Sequence, residues 1–345
     1  MPETIVRKML ERGLQEPIDT GGKHAAMLNG MHLSGHTQML KEQLEHTLAG
    51  TGNIPRSKNP LGRIVAHPNI SDSMSRIRPL VLAGYEGQAR EALSVYLRER
   101  VEVAGAPVFS TAPSTPGWIF ADTAYMVAPS LAIMGESDRA ISDVVRHHEL
   151  LATETGLVRH VLNAAVPVED SYCKVDLWID GTAWGRANGW WLAGVVDSLE
   201  VMDKPSETVL AKFRQTCDAL IALQEDGFWR VTVDDPYSLI DSSATVMISY
   251  GFVKGWQLGL LDKRFEEAGV KGLEYVLRHH FDLRTGTLRH QQKGPLIVNV
   301  ASPNPRYLAE ANPYGQGFLA SLYSLVAAGV NVRDMNVRAL PRAHG

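Results

Sequence analysis

An all-α fold, with helical hairpins arranged in a ring, is what this 345-residue sequence predicts. Three observations carry the prediction. Nearly uncharged helical stretches alternate with amphipathic ones, the alternation recurs at intervals of roughly 50 to 65 residues, and a glycine or short polar turn joins the members of several pairs. A helix that is apolar all round must be buried on every side, so the uncharged members belong inside and the amphipathic ones outside, facing water. A closed double ring satisfies this pattern best, with the loops between pairs gathered at one mouth.

In chain order, residues 4–15 read as a short amphipathic helix and residues 37–50 as another, with Met39, Leu40, Leu44 and Leu48 on one side. A Gly/His-rich connection lies between them. Residues 50–70, with Pro55, Pro60 and Pro68, read as a loop that breaks helix repeatedly. Residues 75–83 and 85–102, joined at Gly84, form the first clear pair, and residues 123–134 and 137–153, joined at Gly135-Glu136, form the next. Residues 184–202 with 206–224 and residues 241–261 with 264–281 repeat the figure. Residues 312–329 make a further uncharged helix, and a sixth pair would draw on the N-terminal helices. Residues 331–345 read as a polar tail that caps the fold or frays. The long connections 156–181, 227–236 and 286–302 alternate Val, Trp, Leu and Ile as strands do, so short hairpins should build the rim of a cleft.

Composition narrows the function classes. With 45% hydrophobic and 21% charged residues the chain reads as an ordinary globular protein. A net charge of −4 without any Lys/Arg block argues against nucleic-acid binding. Cys173 and Cys217 are too few for a disulfide framework and lack metal-ligand spacing. His32 and His36 are four residues apart, but no glutamate stands between them as in the helical zinc motif and no third ligand is evident, so no metal site is expected. No apolar run approaches the roughly 18 residues of a membrane span, and the N-terminus lacks the apolar core of a signal peptide. A cytoplasmic location and no membrane partner are therefore expected.

The most informative stretch is Trp184-Gly185-Arg186-Ala187-Asn188-Gly189-Trp190-Trp191. Tryptophan clustered with a cation and an amide suits the stacking of sugars and the binding of carboxylates, although a Trp-rich helix contact has the same pattern. Asp122 opens an uncharged helix among apolar neighbours. Desolvation there would raise its pKa and let it hold a proton as a general acid, whereas a helix N-cap would lower it. Asp241, before Ser242-Ser243-Ala244-Thr245, reads more simply as a cap. His160 lies beside Arg159 in a loop and is a ligand-contact or rim residue. His147-His148 and His279-His280 read as C-terminal-turn residues that complement the helix dipole. Gly315-Gln316-Gly317 reads as a tight entry to the last inner helix, with no P-loop lysine after it.

The order of Asp122-Thr-Ala-Tyr-Met, Gly156-Leu-Val-Arg-His160, Trp184-Gly-Arg-Ala-Asn-Gly-Trp-Trp, Asp241-Ser-Ser-Ala-Thr with Lys254-Gly255, and Asn312-Pro-Tyr-Gly-Gln-Gly resembles glycoside hydrolase family 105 over roughly residues 70–330. Those enzymes are unsaturated rhamnogalacturonyl hydrolases, related to the unsaturated glucuronyl hydrolases of family 88. The resemblance implies an (α/α)6 barrel over residues 1–345, with residues 1–60 atypical or serving a subunit contact in a homo-oligomer. It implies a 4,5-unsaturated uronic acid at the end of a lyase-generated oligosaccharide as substrate, and no metal or organic cofactor. It assigns proton transfer to Asp122, a second carboxylate to Asp72 by its order in the chain, substrate contacts to His160 and Arg186, and an aromatic wall to Trp190; Trp184 either stacks on the sugar or simply packs, and Phe120 is counted among the substrate-binding residues. Two departures bear on substrate choice. Phe120 stands where the family usually has tryptophan, and residues 108–116 lack the histidine that normally lies upstream. A related unsaturated glucuronide, or a barrel that binds carbohydrate without turnover, are the alternatives.

Overall fold

Helices without a polar face need burial all round. The computed structural model, which describes residues 2–18, 20–49, 69–110, 115, 117–165, 178–292, 308–309 and 311–342, puts them on the inside of a ring. The helices are α1 (Pro2–Leu14), α2 (Gly21–Leu33), α3 (Thr37–Ala49), α4 (Ile70–Met74), α5 (Ile77–Leu82), α6 (Glu86–Glu99), α7 (Thr123–Ile133), α8 (Ser137–Leu151), α9 (Gly185–Leu199), α10 (Glu207–Ile221), α11 (Ser242–Gln257), α12 (Lys263–His279) and α13 (Pro313–Val326). The inner ring runs α2, the broken pair α4 and α5, α7, α9, α11 and α13, and α13 closes back onto α2. Outside it, α3 covers α2, α6 covers α5, α8 covers α7, α10 lies across α8 and α9, α12 covers α11, and α1 covers α13 and α2. This is the (α/α)6 barrel expected. Every residue of α7 and α9 is buried, whereas α8, α10 and α12 bury one face only.

Small residues set how closely the inner helices approach. A side chain at Gly194 of α9 would press on the Ala124 backbone of α7 at 2.8 Å, and one at Gly30 of α2 would meet the Gly317 carbonyl of α13 at the same distance. These contacts are with backbone atoms that cannot swing aside, so glycine is required there.

The N-terminal third departs from the sequence reading. The Gly/His-rich connection is α2, an inner helix, and α1 sits outside against α13. Its sequence has no polar stripe to betray a helical period, because only Lys23 and His32 escape full burial. Of residues 75–83, 77–82 form one helix, α5, and a separate short helix, α4, comes just before it. Ser75 and Arg76 separate α4 from α5, since Pro79 has no N–H to return to Ser75 and fits only within the first turn of a new helix. The tail does not fray over its described part. A 3-10 turn at Val332–Met335 leads to a backbone bond from Leu340 to Ile133, and Arg342 pairs with Glu136 at 2.9 Å, under the C-terminal end of α7.

Short strands build the rim. β1 (Glu102–Val103) pairs with β2 (Ala106–Pro107); β3 (Trp118–Phe120), β4 (Val161–Asn163) and β5 (Trp178–Asp180) form an antiparallel sheet; β6 (Phe281–Asp282) pairs with β7 (Thr287–Leu288), and β8 (Gln291–Gln292) with β9 (Leu308–Ala309). Residues 227–236 form isolated bridges, Trp184 with Thr232 and Arg230 with Ile240, instead of a paired strand. The entries to successive inner helices are bonded in series. Ala121 N donates to His160 O, His160 N to Thr182 O, Gly185 N to Val231 O, Ser242 N to His290 O, and Ala311 N to Leu288 O. The N-termini of α7, α9, α11 and α13 therefore share one mouth. Among the described residues no helix is long and apolar enough to cross a membrane.

Candidate active site

Asp122 stands between β3 and α7, where the chain turns from rim into inner helix. Its backbone is already helical, at φ −56° and ψ −30°, and its side chain makes no capping bond. Oδ1 is shut off from solvent and has no hydrogen-bond partner among the described residues. Capping therefore does not account for this aspartate. Burial pushes its pKa above the ordinary carboxylate value; His160 and Arg186 pull against that push, and Asp72 adds to it.

Asp72 comes from α4 and is buried. Its Oδ2 accepts from Gly21 N at 2.5 Å and its Oδ1 from Gly22 N at 2.9 Å, so it sits on the positive N-terminal end of α2. A side chain at Gly21 would collide with the Asp72 carbonyl, so glycine there is what lets the helix end reach the carboxylate. The carboxylate picked out by its order in the chain thus lies near enough to act on Asp122, and the helix end holds it in place.

His160 precedes β4, which pairs Phe120 of β3 with Val161. Its ring is wholly buried against Phe120, at 5.7 Å between centroids, and Trp184, at 4.3 Å. Phe120 also touches Phe109 and Trp118, so an aromatic cluster continues from the site onto the rim. His160 Nδ1 meets Asp180 Oδ2 at 2.8 Å, while Nε2 is buried and unpartnered among the described residues.

Arg186, in the first turn of α9, is sandwiched by the rings of Trp184 and Tyr314, each 4.4 Å from its guanidinium carbon. Nη1 donates to the Gln292 carbonyl at 2.7 Å and to Ser243 Oγ at 3.3 Å, while Nε has no partner among the described residues. Gln292 also accepts from Trp184 Nε1 through its side chain and from the Tyr314 hydroxyl through its carbonyl. Trp190 lies one turn deeper and is buried against Tyr125, Phe318 and Tyr314. It packs into the core beneath Arg186. Asn188 bonds Val158 N and O, and so bolts the loop carrying His160 to α9.

Asp241 is the cap that its sequence suggests, accepting from Ser243 N at 2.9 Å. His147 and His148 do not serve the helix dipole as cations. Burial lowers both to about 4, so they are neutral core residues, bonded to the Asp143 carbonyl and to Thr216. Cys217 is a buried free cysteine, and Cys173 lies outside the described residues. Among the described residues no three His, Cys, Asp or Glu side chains are grouped as metal ligands.

Sequence reasoning missed Asp180, Ser243, Gln292 and Tyr314. For Asp180 a signal existed, since Asp180-Gly181-Thr182 has the form of a side-chain turn, and Oδ1 does accept from Thr182 N at 3.0 Å. Gln292 carries no local signal, because its role depends on three residues distant in the chain.

The mouth of this α/α barrel gathers a buried carboxyl with a raised pKa, a second carboxylate, a histidine, and an arginine stacked on tryptophan. The chain belongs to Glycosyl Hydrolase Family 88, whose model matches residues 37–319. An unsaturated rhamnogalacturonyl hydrolase of Bacillus subtilis, YesR, is 32% identical over 89 residues, a match spanning 25% of this chain and 26% of that protein. Among solved structures, a family 105 glycoside hydrolase of C. acetobutylicum superposes with a TM-score of 0.73 at 17% identity, covering 93% of this chain and 98% of its own. The unsaturated glucuronyl hydrolase of Bacillus sp. GL1 superposes with a TM-score of 0.68 at 13% identity, covering 96% and 98%.

Proposed function

We propose that the protein removes a 4,5-unsaturated uronic acid from lyase-generated oligosaccharides, as an unsaturated rhamnogalacturonyl hydrolase acting in the cytoplasm on imported fragments. The observation that carries the proposal is Asp122: a carboxyl at the barrel mouth, with one oxygen desolvated and unpartnered among the described residues, and a raised pKa. Such a group can hold a proton near neutrality and give it up within the site. The partial match to YesR and the family 105 likeness support the choice of substrate.

In this reading Asp122 protonates C4 of the C4=C5 enol ether, and positive charge develops at C5 and the ring oxygen. Water adds at C5 and returns a proton to the Asp122 carboxylate. The hemiketal then opens, and the former anomeric carbon releases the next sugar. Asp72, held by the end of α2, supplies a fixed negative charge beside the developing cation. The Arg186 Nε has no partner among the described residues and suits the uronate carboxylate, and the ring of Trp184 stacks against the arginine from one side. His160 and the Phe120 cluster border the sugar, and Trp190 supports the floor.

Hydration destroys the conjugated chromophore, so ultraviolet absorbance tests the proposal directly. Wild type and Asp122→Asn are incubated with pectic, glycosaminoglycan and algal unsaturated disaccharides. Loss of absorbance on the pectic substrate with wild type alone is the expected result. Loss only on a glucuronyl substrate would move the assignment to that uronide, a choice the Phe120 position and the histidine-free segment upstream of it bear on. No loss on any panel would leave a carbohydrate-binding barrel.

A further inference from the structure

We infer that Asp180 is a positioning residue for this reaction: it fixes the ring and tautomer of His160, so that Nε2 is presented toward the Asp122 side of the cleft. The inference rests on the proposed function. His160 and Asp180 have side chains only 0% and 1% exposed, and their contact at 2.8 Å is the ring's sole polar bond among the described residues. The remaining Asp180 oxygen is tied down as well, accepting from Thr182 N at 3.0 Å and Thr182 Oγ1 at 2.8 Å.

This arrangement dictates where the proton lies. Burial pushes the Asp180 carboxyl up, but the bonds from His160 and Thr182 overcome it and hold the group below the ordinary carboxylate range. An ionised carboxylate only accepts hydrogen bonds, so Nδ1 must be the donor. In the neutral ring Nε2 is then a lone-pair acceptor, and in the charged ring it is a second donor. That atom is buried and unpartnered among the described residues, and His160 is near enough to Asp122 for its charge to lower the Asp122 pKa. Phe120 and Trp184 confine the ring from two sides, and its backbone is bonded in both directions, to Ala121 and Thr182. The ring is thereby held from several directions, and Asp180 chooses which nitrogen faces the chemistry.

An amide at position 180 keeps the shape and changes the proton. The side-chain N–H introduced by Asp180→Asn can donate to Nδ1, which places the ring proton on Nε2 and turns the acceptor into a donor. Asp180→Asn is expected to lower kcat on the order of 100-fold with KM changed by less than about threefold. Nitrogen-15 NMR of the histidine ring, recorded at a pH high enough to leave the ring neutral, should report the proton on Nδ1 in wild type and on Nε2 in Asp180→Asn. Once His160→Gln is in place, adding Asp180→Asn should lower kcat no further. Should Asp180→Asn fail to fold, Thr182→Val removes one bond to Asp180 and is expected to give a smaller kcat loss in the same direction.

A kcat within about twofold of wild type, an unchanged tautomer, or additive losses in the double variant would each overturn the inference. The tautomer measurement needs no substrate. Wild type inactive on every unsaturated disaccharide would defeat the proposed function, whereas wild type active with Asp180→Asn unimpaired would defeat only the role of Asp180.

Discussion

Asp122 sets two demands against each other. Its raised pKa means that the folded state binds the proton more tightly than the unfolded state does. The stability this contributes is fully present below the unfolded carboxyl pKa and is lost as pH rises through the higher folded value. Above the unfolded pKa, and so at neutrality, the buried carboxyl is therefore a burden on the fold compared with a neutral group. Asp122→Asn should abolish turnover, by at least about 10³-fold, and at the same time raise Tm at pH 7 by about a degree or two. At pH 3 that thermal gain should vanish, because the wild-type carboxyl is then neutral as well. A thermal scan at both pH values beside the absorbance assay checks both halves, and a lower Tm at pH 7 would show that the carboxylate is not strained. On the proposed function the same sign governs the rate: the acid form donates the proton, so kcat/KM should hold through mildly acidic pH and fall as pH rises through the raised pKa. Arg186 makes a separate prediction, since only a planar cation fills the slot between Trp184 and Tyr314. Arg186→Lys should raise KM for the unsaturated uronide by roughly 10-fold, with a smaller effect on kcat, in steady-state kinetics. At this scale the sequence was legible where local chemistry was unusual, as at Asp122 among apolar residues or Arg186 among tryptophans. It was silent on Gln292 and gave no role to Tyr314, whose contacts are set by the closing of the ring.

Most inner helices were visible as stretches with little charge, and their partners as amphipathic stretches, because each pair needs one buried and one half-wetted member. Helix α2 escaped notice for the same physical reason that makes it an inner helix. Apolar and small residues surround its axis, so no period stands out, and glycines at 21, 22 and 30 imitate a loop. Their structural reasons are contacts with Asp72 and with α13, which no local reading can supply. Close approach of backbones is the common device. Gly194→Ala would drive a methyl group into the Ala124 backbone at 2.8 Å, just below Asp122. It is expected to cost about 1–3 kcal/mol in urea unfolding and to lower kcat, because α7 carries the proposed proton donor at its entrance. An alanine variant as stable as wild type would mean that α7 and α9 can slide apart freely.

Below the site, the barrel axis is filled by charge. Arg78 of α5 bonds Glu200 at 2.5 Å and Asn29 of α2 at 2.9 Å, and Lys254 of α11 bonds Asp197 of α9 at 2.6 Å and Glu200 at 2.9 Å. Tyr250 donates to Asp197, and Asn29 reaches Ser321 of α13, so α2, α5, α9, α11 and α13 meet in one network. Two cations face two carboxylates there with almost no solvent. Burial pushes Asp197 up, yet Lys254 and Arg78 overcome it and hold its pKa below the ordinary value. Its contribution to stability is therefore present above the unfolded carboxyl pKa and is lost as pH falls through the lower folded one. Removing one member is worse than removing a matched pair, because an uncompensated buried charge remains. Lys254→Met should destabilise the barrel by about 3–5 kcal/mol in urea unfolding at pH 7. Adding Asp197→Asn to that variant should recover part of the loss, since one of the stranded charges is then gone. If the double variant is instead less stable by the full sum of the two single losses, the network acts as independent contacts. Each contact would then stabilise the ring on its own, without help from the others.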